Sequence, residues 1–446
     1  MKKDNLLTVL ILAGLAVGVL IGQFVLFDPD LSAEALRSRV SVWSVTGDLL
    51  FIRPLMALIV PLVFVSVVTG VTSIGSPQRL GLIGGAAFVY FIGTTLIAVV
   101  LGLALVNMIQ PGEGVPVEAL ETGGREAFSS QIGTRLEGKP TDVGGVFLSL
   151  LRQLVPENPI RAAVERDVLP VVVSGIILGL ALVITGERAR SVTKFFDGLF
   201  HALLTLVQWV IWLAPVGVLC IIAARVGEKG LANLVGPMAW YVLTVSAGLA
   251  IHLLVILPLV LWLLARVNPY AFIWRLRKVI VTAFSTASSS ATLPVSIEEC
   301  QKRGGCSARA TNFVVPLGAT VNMNGTALYE AVAVSFLFQM FGYELDLTQQ
   351  LLILITATLA AIGAPGIPSA GLVTMAIVIG VVNSILQHVR PDLPELPLWT
   401  IGIIYGVDRV LDMCRTVVNV MGDAIGARIL TRIAPDTADE KERALG

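Results

Sequence analysis

Apolar residues in this chain gather in long blocks that show no two-residue alternation, so they read as helices rather than strands. Leu6 to Phe27, Ala86 to Ile109, Val168 to Thr185 and Met238 to Ala265 each come close to or exceed the roughly 20 residues that carry a helix across a hydrocarbon core. The first block is too long for the apolar region of a signal peptide, and no small-residue cleavage site follows it at Asp28, so it is expected to stay as a span. Composition strengthens this reading. Hydrophobic residues make up 55% of the chain and charged residues 14%, too little polar surface for a soluble globule of this size. The expected class is an all-α polytopic membrane protein with the lipid bilayer as its solvent.

Charge between the blocks sets the expected orientation. Lys2 and Lys3, Arg79, Arg188 to Lys194 and Arg266 to Lys278 mark cytoplasmic segments, because short loops rich in Lys and Arg stay inside. Asp28 to Asp48, Pro111 to Arg166 and Gly227 to Gly230 then face outward, giving six helices through Ala265 with a cytoplasmic amino terminus. Pro111 to Gly145, rich in Gly, Glu and Thr without a period, is expected to be an exposed loop. The formal net charge is zero, which argues against a nucleic-acid partner. Cys220, Cys300, Cys306 and Cys414 match no common zinc signature; they read as packing or loop residues.

Beyond Lys278 the apolar runs shorten and are broken by small and polar residues. Ser285 to Pro294 reads STASSSATLP, and Gly363 to Gly371 reads GAPGIPSAG. Each lies between apolar arms too short to cross alone, as in re-entrant hairpins. Gly318 to Thr326, GATVNMNGT, interrupts another apolar span, and an unwound helix there would present carbonyl oxygens suited to a hard cation. An isolated Asn in such a span can instead be interhelical glue. Backbone that leaves the helix at membrane depth must be buried in protein or line a cavity, and paired breaks of this kind point to a transporter with a midplane site.

The last apolar run, Leu398 to Leu430, carries Asp408, Asp412, Arg415, Thr416, Asn419 and Asp423. At about 100° per residue these positions share an arc of roughly 100°, a polar stripe facing the interior. Arg415 suits a carboxylate, because its planar fork can bind one bidentately. The excess of acids suits a cation, although a structural ion-pair ladder would leave the same stripe.

STASSSATLP, VPLGATVNMNGTALYEA, AAIGAPGIPSAGLVTM and DRVLDMCRTVVNVMGD, in that order, resemble the dicarboxylate/amino acid:cation symporters, which include the excitatory amino acid (glutamate/aspartate) transporters. The resemblance covers most of the chain and points to a bacterial or archaeal member. It implies eight transmembrane helices and two re-entrant helical hairpins in inverted repeats, an elevator-type transporter assembled as a homotrimer in the cytoplasmic (inner) membrane with both termini cytoplasmic. The implied division is scaffold helices in 1–80, a transport-domain helix in 81–110, an extracellular loop in 111–167, scaffold helices in 168–228, the transport core in 229–430 and a tail in 431–446. The hairpins would span about Ala271 to Cys300 and Leu347 to Val381.

Site residues follow from the same resemblance. Asp412 would bind the substrate amino group, Arg415 its side-chain carboxylate, and Asn419 and Thr416 its backbone carboxylate and amino end. Ser289 and the carbonyl of Ala287 would join from the first hairpin, Ile367 and Gly371 from the second, and Thr326 from the unwound helix. One sodium ion would sit at Asp423 with oxygens of Gly318, Asn322 and Asn419. A second would sit at carbonyls of Thr320, Met323, Ala361, Ile362 and Ala364. The third family cation site departs from the pattern: Asn324 replaces the usual aspartate and Phe91 a tyrosine, beside Thr94 and Thr95, which should weaken or abolish a cation there. Glu330 stands where other members couple protons. An arginine found near the site in relatives is replaced by Ala287 and Met413, and Arg409 lies one turn from Met413.

The implied function is symport of acidic amino acids with sodium ions, protons or both, with no further cofactor and no enzymatic activity. A C4-dicarboxylate or neutral amino acid carrier would differ only in the pocket. A passive anion channel fits a site of paired charges less well. An intramembrane hydrolase would need Ser288, Ser289 or Ser290 to meet His201, His252 or His388, with no accompanying nucleophile motif.

Overall fold

In a computed structural model of the chain, the residues described are 3–115, 117–133, 148, 151–152, 155, 157–165, 168–229, 238–362, 366, 370–389 and 395–436. Among them the secondary structure is helical, with no strand. The first half comprises α1 (Lys3–Ile21), α2 (Ala33–Gly47), α3 (Arg53–Ile74), α4 (Pro77–Ile109), α5 (Val117–Ala127), α6 (Pro159–Glu165), α7 (Val168–Thr185) and α8 (Arg190–Lys229). The second half comprises α9 (Ala239–Ile251), α10 (Leu257–Ala265), α11 (Pro269–Arg275), α12 (Arg277–Thr286), α13 (Ser289–Lys302), α14 (Ala308–Val321), α15 (Asn324–Met340), α16 (Leu347–Ile362), α17 (Ala370–Val389) and α18 (Ile401–Leu430).

Among the described residues, five helical stretches are long and apolar enough to cross a membrane, and one of them, Leu169–Glu228, has length for two crossings because α7 and α8 are joined by a short turn at Gly186–Ala189. Phe24, Val42, Ile177, Trp209 and Trp240 are more than half exposed, a density of apolar surface that water does not tolerate and lipid does. α1 lies in close contact with α8. A Cβ at Gly18 would come within 2.7 Å of the Leu219 carbonyl oxygen, and one at Gly22 within 2.6 Å of Val226 Cβ. The small-residue stripe at four-residue spacing lets two backbones approach where the hydrophobic effect cannot drive them together.

The second half holds the core. Every residue of α15 except Gln339 is buried, so this helix is surrounded on all sides, by α4, α9, α16, α17 and α18. α12 and α13 form one hairpin and α16 and α17 the other; the first begins at Arg277 rather than Ala271, and the second arm of the other runs to Val389, past the Val381 expected from the sequence. The root of the first hairpin is held by Lys278, whose ammonium lies 3.2 Å from Glu299, and by Arg303, 3.1 Å from the other oxygen of Glu299. Buried pairs of this kind fix geometry more than they add stability.

The segment expected to be an exposed loop after Pro111 is instead partly helical. α5 and the turn through Gly133 pack on α18. Gly124 lies against Ile403, Arg125 stacks over Trp399 at 4.5 Å and pairs with Glu121 at 2.7 Å, and Ile132 is buried. Val117, Leu120, Gly124, Phe128 and Ile132 recur at three- and four-residue steps, a helix face written in so few apolar letters that the surrounding Gly and Glu hide it.

Replacing Gly18 by Leu should push α1 off α8 and lower stability by about 1–3 kcal/mol, measured as a drop in the thermal unfolding midpoint of the detergent-solubilised chain. An unchanged midpoint would mean that the close α1–α8 contact contributes nothing.

Candidate functional site

The polar stripe of α18 faces inward. Asp408, Asp412, Arg415, Thr416, Asn419 and Asp423 are each no more than 4% exposed. A buried charge without a partner costs several kcal/mol, and the partners here are specific. Arg415 Nε and Nη2 both lie 2.8 Å from Asp412 Oδ1, and Nη1 is 3.5 Å from Asp408 Oδ1. The guanidinium stacks over the Tyr329 ring at 4.4 Å, and the Tyr329 hydroxyl donates to Asp408 Oδ1 at 2.8 Å. Arg415 Nη1 makes no hydrogen bond. It lies beneath Gly371 at the start of α17, where a Cβ would collide with it. One base thus faces two acids and keeps an unused donor under the second hairpin.

The break between α14 and α15 is real: Asn322 and Met323 leave helical geometry, with ψ of 65° and 52°. The first N–H groups of a helix have no internal acceptor, and Asn419 supplies one. Its Oδ1 accepts from Gly325 N at 2.7 Å and Thr326 N at 3.3 Å, while its Nδ2 donates to Thr326 Oγ1 at 3.0 Å. Thr416 donates to the Asp412 carbonyl of its own helix at 2.8 Å. Asp423 Oδ1 accepts from Asn322 Nδ2 at 2.9 Å, and its carboxylate sits so close to Gly318 that any side chain there would strike it. No cationic side chain pairs with Asp423 among the described residues. A buried carboxylate next to a helix break suits a hard cation.

The two hairpin tips meet. Ala287 turns the first with a φ of +49°, and Ser288 caps α13 by accepting from Ala291 N at 3.1 Å. Ser288 Oγ and Ser290 N then donate to the Gly366 carbonyl at 2.6 and 3.1 Å, and a Cβ on Gly366 would lie 2.5 Å from Ser290 Oγ. Ser289 is buried beside them. Ala361 and Ile362 end α16, where helix carbonyls lack internal partners. Thr320 and Met323 flank the break, the Met323 carbonyl accepting from Ala327 N at 2.9 Å. Ala364 and Ile367 lie outside the described residues, as does the side chain of Arg409.

The departing third cluster is also assembled. Thr94 Oγ1 donates to the Tyr90 carbonyl at 2.9 Å and reaches Asn322 Oδ1 at 3.4 Å, while Thr95 Oγ1 has no partner. Phe91 is fully buried against Gly318. The hydroxyl absent at Phe91 occurs one residue earlier: Tyr90 donates to the Gly422 carbonyl at 2.8 Å. Asn324 Oδ1 accepts from Gly325 N at 3.0 Å, which orients Nδ2 as a buried donor without an acceptor. Flipping the amide would set two donors against each other. An N–H donor does not fit a cation, so this cluster matches a cation poorly whereas Asp423 matches one well.

Glu330 is wholly buried on α15, and one of its oxygens accepts from the Thr374 hydroxyl of α17. Tyr90, Tyr329 and Thr374 were not picked out from the sequence. Tyr329 carried a usable signal, since a tyrosine in an apolar helix needs a partner for its hydroxyl. A hydrolase finds no support in the geometry: Ser288 donates to backbone, and neither ring nitrogen of buried His252 has a partner.

The sequence profile of the sodium:dicarboxylate symporter family matches residues 7–433. The chain belongs to this family. An excitatory amino acid transporter of Caenorhabditis elegans is 34% identical, over 99% of this chain and 90% of its own. Neutral amino acid transporter B(0) of Bos taurus is 35% identical, over 96% and 80%. An excitatory amino acid transporter of Onchocerca volvulus is 34% identical, over 99% and 92%. This symporter is therefore an integral membrane transporter and not an enzyme, and sodium and an amino acid or dicarboxylate are the cargo classes its family carries.

Tyr329→Phe keeps the ring under Arg415 and removes the donor to Asp408. The loss should destabilise the symporter by about 1–3 kcal/mol, read as a lowered unfolding midpoint. A midpoint equal to wild type would show that Asp408 finds another donor at no cost.

Proposed function

We propose that the protein imports acidic amino acids, glutamate or aspartate, by symport with cations. The observation that carries this reading is Arg415 Nη1, a buried guanidinium donor that makes no hydrogen bond beneath Gly371, 3.5 Å from Asp408, on a side chain whose other nitrogens are held by Asp412. A ligand with a side-chain carboxylate satisfies Nη1, and its ammonium replaces the guanidinium on Asp412. A C4-dicarboxylate would answer Arg415 and leave Asp412 without its counterion. A neutral amino acid would answer Asp412 and leave Arg415 exposed to the same loss.

In this reading Thr326, Ser289 and the hairpin tips border the pocket, with Asn419 and Thr416 one turn further along α18. Asn419 is engaged by the α15 backbone, so in this reading it shapes the pocket as well as bordering it. The first sodium ion binds at Asp423, Gly318, Asn322 and Asn419. The second binds at the carbonyls of Thr320, Met323, Ala361, Ile362 and Ala364. Asn324 presents an amide donor where a third cation would need oxygen, and Glu330 is the remaining buried acid able to take up a proton. Alternating access follows by movement of the core against α1 to α3, α7 and α8, with hairpin 2 as the gate, in a homotrimer of the cytoplasmic membrane.

Uptake of radiolabelled aspartate and glutamate into proteoliposomes under imposed sodium or proton gradients tests this directly. Wild type should accumulate one or both acids, and Arg415→Ala should lose at least tenfold in uptake rate, since a charge-assisted bidentate contact of about 1.5–3 kcal/mol is removed. Accumulation of serine or succinate in place of both acids would overturn the pocket assignment.

A further inference from the structure

Glu330 lies one turn beyond Thr326 on α15 and is 0% exposed. Its Oε1 accepts from Thr374 Oγ1, and its Oε2 has no hydrogen-bond partner. Burying a carboxyl group is costly unless it is hydrogen-bonded, so the one donor to Glu330 carries unusual weight. Thr374 sits on α17, 6% exposed, one turn past Ala370 and Gly371, whose carbonyls the same hydroxyl approaches at 3.3 and 3.2 Å. A helical threonine ordinarily donates only to its own preceding turn. Here the hydroxyl reaches across to a different helix.

The turn that Thr374 fixes is the one that sets Gly371 against the Arg415 guanidinium. Among the described residues, the second arm of hairpin 2 makes polar bonds to other elements at Thr374 and at Asn383, which pairs with the Leu396 backbone, and the tip makes others. At the tip, Gly366 accepts from Ser288 and Ser290 of hairpin 1. One turn into the second arm, Thr374 donates to Glu330. The tip contact joins hairpin to hairpin, whereas the Thr374 contact joins the hairpin to the central helix that also carries Thr326 and Tyr329.

We infer that Thr374 is a positioning residue of the transport cycle: its hydroxyl, bonded to Glu330, holds the second arm of hairpin 2 closed over Arg415, and the hairpin opens only when that bond breaks. The inference rests on the reading of hairpin 2 as the gate. Thr374 touches neither substrate nor cation and acts through the placement of Gly371.

The test uses the full-length chain in liposomes, with Cys220, Cys300, Cys306 and Cys414 replaced by alanine and a single reporter, Ala370→Cys, on the covered face of the hairpin. The rate of N-ethylmaleimide labelling without substrate reports how often the hairpin opens. Thr374→Val, which keeps shape and loses the hydroxyl, should label about tenfold faster, the shift that one hydrogen bond to a carboxyl group supports. Thr374→Ser should stay within about twofold of the parent, because its hydroxyl reaches the same oxygen. Parent-like labelling of the Val variant, or equal acceleration in the Val and Ser variants, would overturn the inference. Should the Val variant fail to fold, Glu330→Leu in the same background gives the second reading: faster labelling supports the tie and unchanged labelling refutes it. Labelling needs no substrate, so a failure to transport acidic amino acids would sink the proposed function and leave this result standing.

Discussion

A guanidinium buried between carboxylates, with neither water nor lipid headgroups to share its charge, is the constraint on which the rest of the core depends. Arg415 is 2% exposed. Charge at that depth is tolerated only where the surrounding protein supplies counterions, donors and a polarisable face together. Asp412 and Asp408 supply the first, the Tyr329 ring stacks beneath, and the Tyr329 hydroxyl steadies Asp408. α15 has to bring Tyr329 to this point, and its start is held by Asn419, which accepts from its first amides together with Asn324. The helix break, the stripe on α18 and the meeting of the hairpins are therefore one arrangement.

That arrangement is complete in its polar bonds except at a few atoms, and those atoms carry the chemistry. Arg415 Nη1, Asn324 Nδ2, Thr95 Oγ1 and Glu330 Oε2 are buried without hydrogen-bond partners. In most proteins such groups are rare because each costs about 1–3 kcal/mol. Nη1 and Nδ2 are donors and call for acceptors. Asp423 calls for a cation. The cluster around Asn324 thus differs in kind from the one around Asp423, although Asn322 touches both.

Much of this was legible because membrane depth makes exceptions conspicuous. Asp408 to Asp423 stood out as polar letters in a span, and STASSSATLP and GATVNMNGT as breaks where lipid forbids them, and the structure buries the stripe and unwinds the chain at Asn322 and Met323. What escaped was written in ordinary letters. Thr374 in an apolar hairpin arm looks like filler until its hydroxyl is seen to leave its own helix. Tyr90 and Phe91 point about 100° apart, one helical residue step, and the bond of the Tyr90 hydroxyl to the Gly422 carbonyl depends on a segment far along the chain. α5 was hidden because its apolar face is dilute and its partner, Trp399 and Ile403 on the far side of the chain, supplies most of the contact. Local pattern records what a residue is, whereas these features depend on what a distant segment places opposite it.

The central claim is that Asp412 and Arg415 are held together in the absence of ligand and are separated by a ligand carrying both an ammonium and a second carboxylate. Isothermal titration of the purified full-length chain in saturating sodium, with aspartate, succinate and alanine in turn, tests it most directly. Aspartate should bind at least about 100-fold more tightly than either of the others, since each of them leaves one buried charge unmatched. Succinate or alanine binding as tightly as aspartate would contradict the account, because one half of the pair would then be answered at no cost to the other.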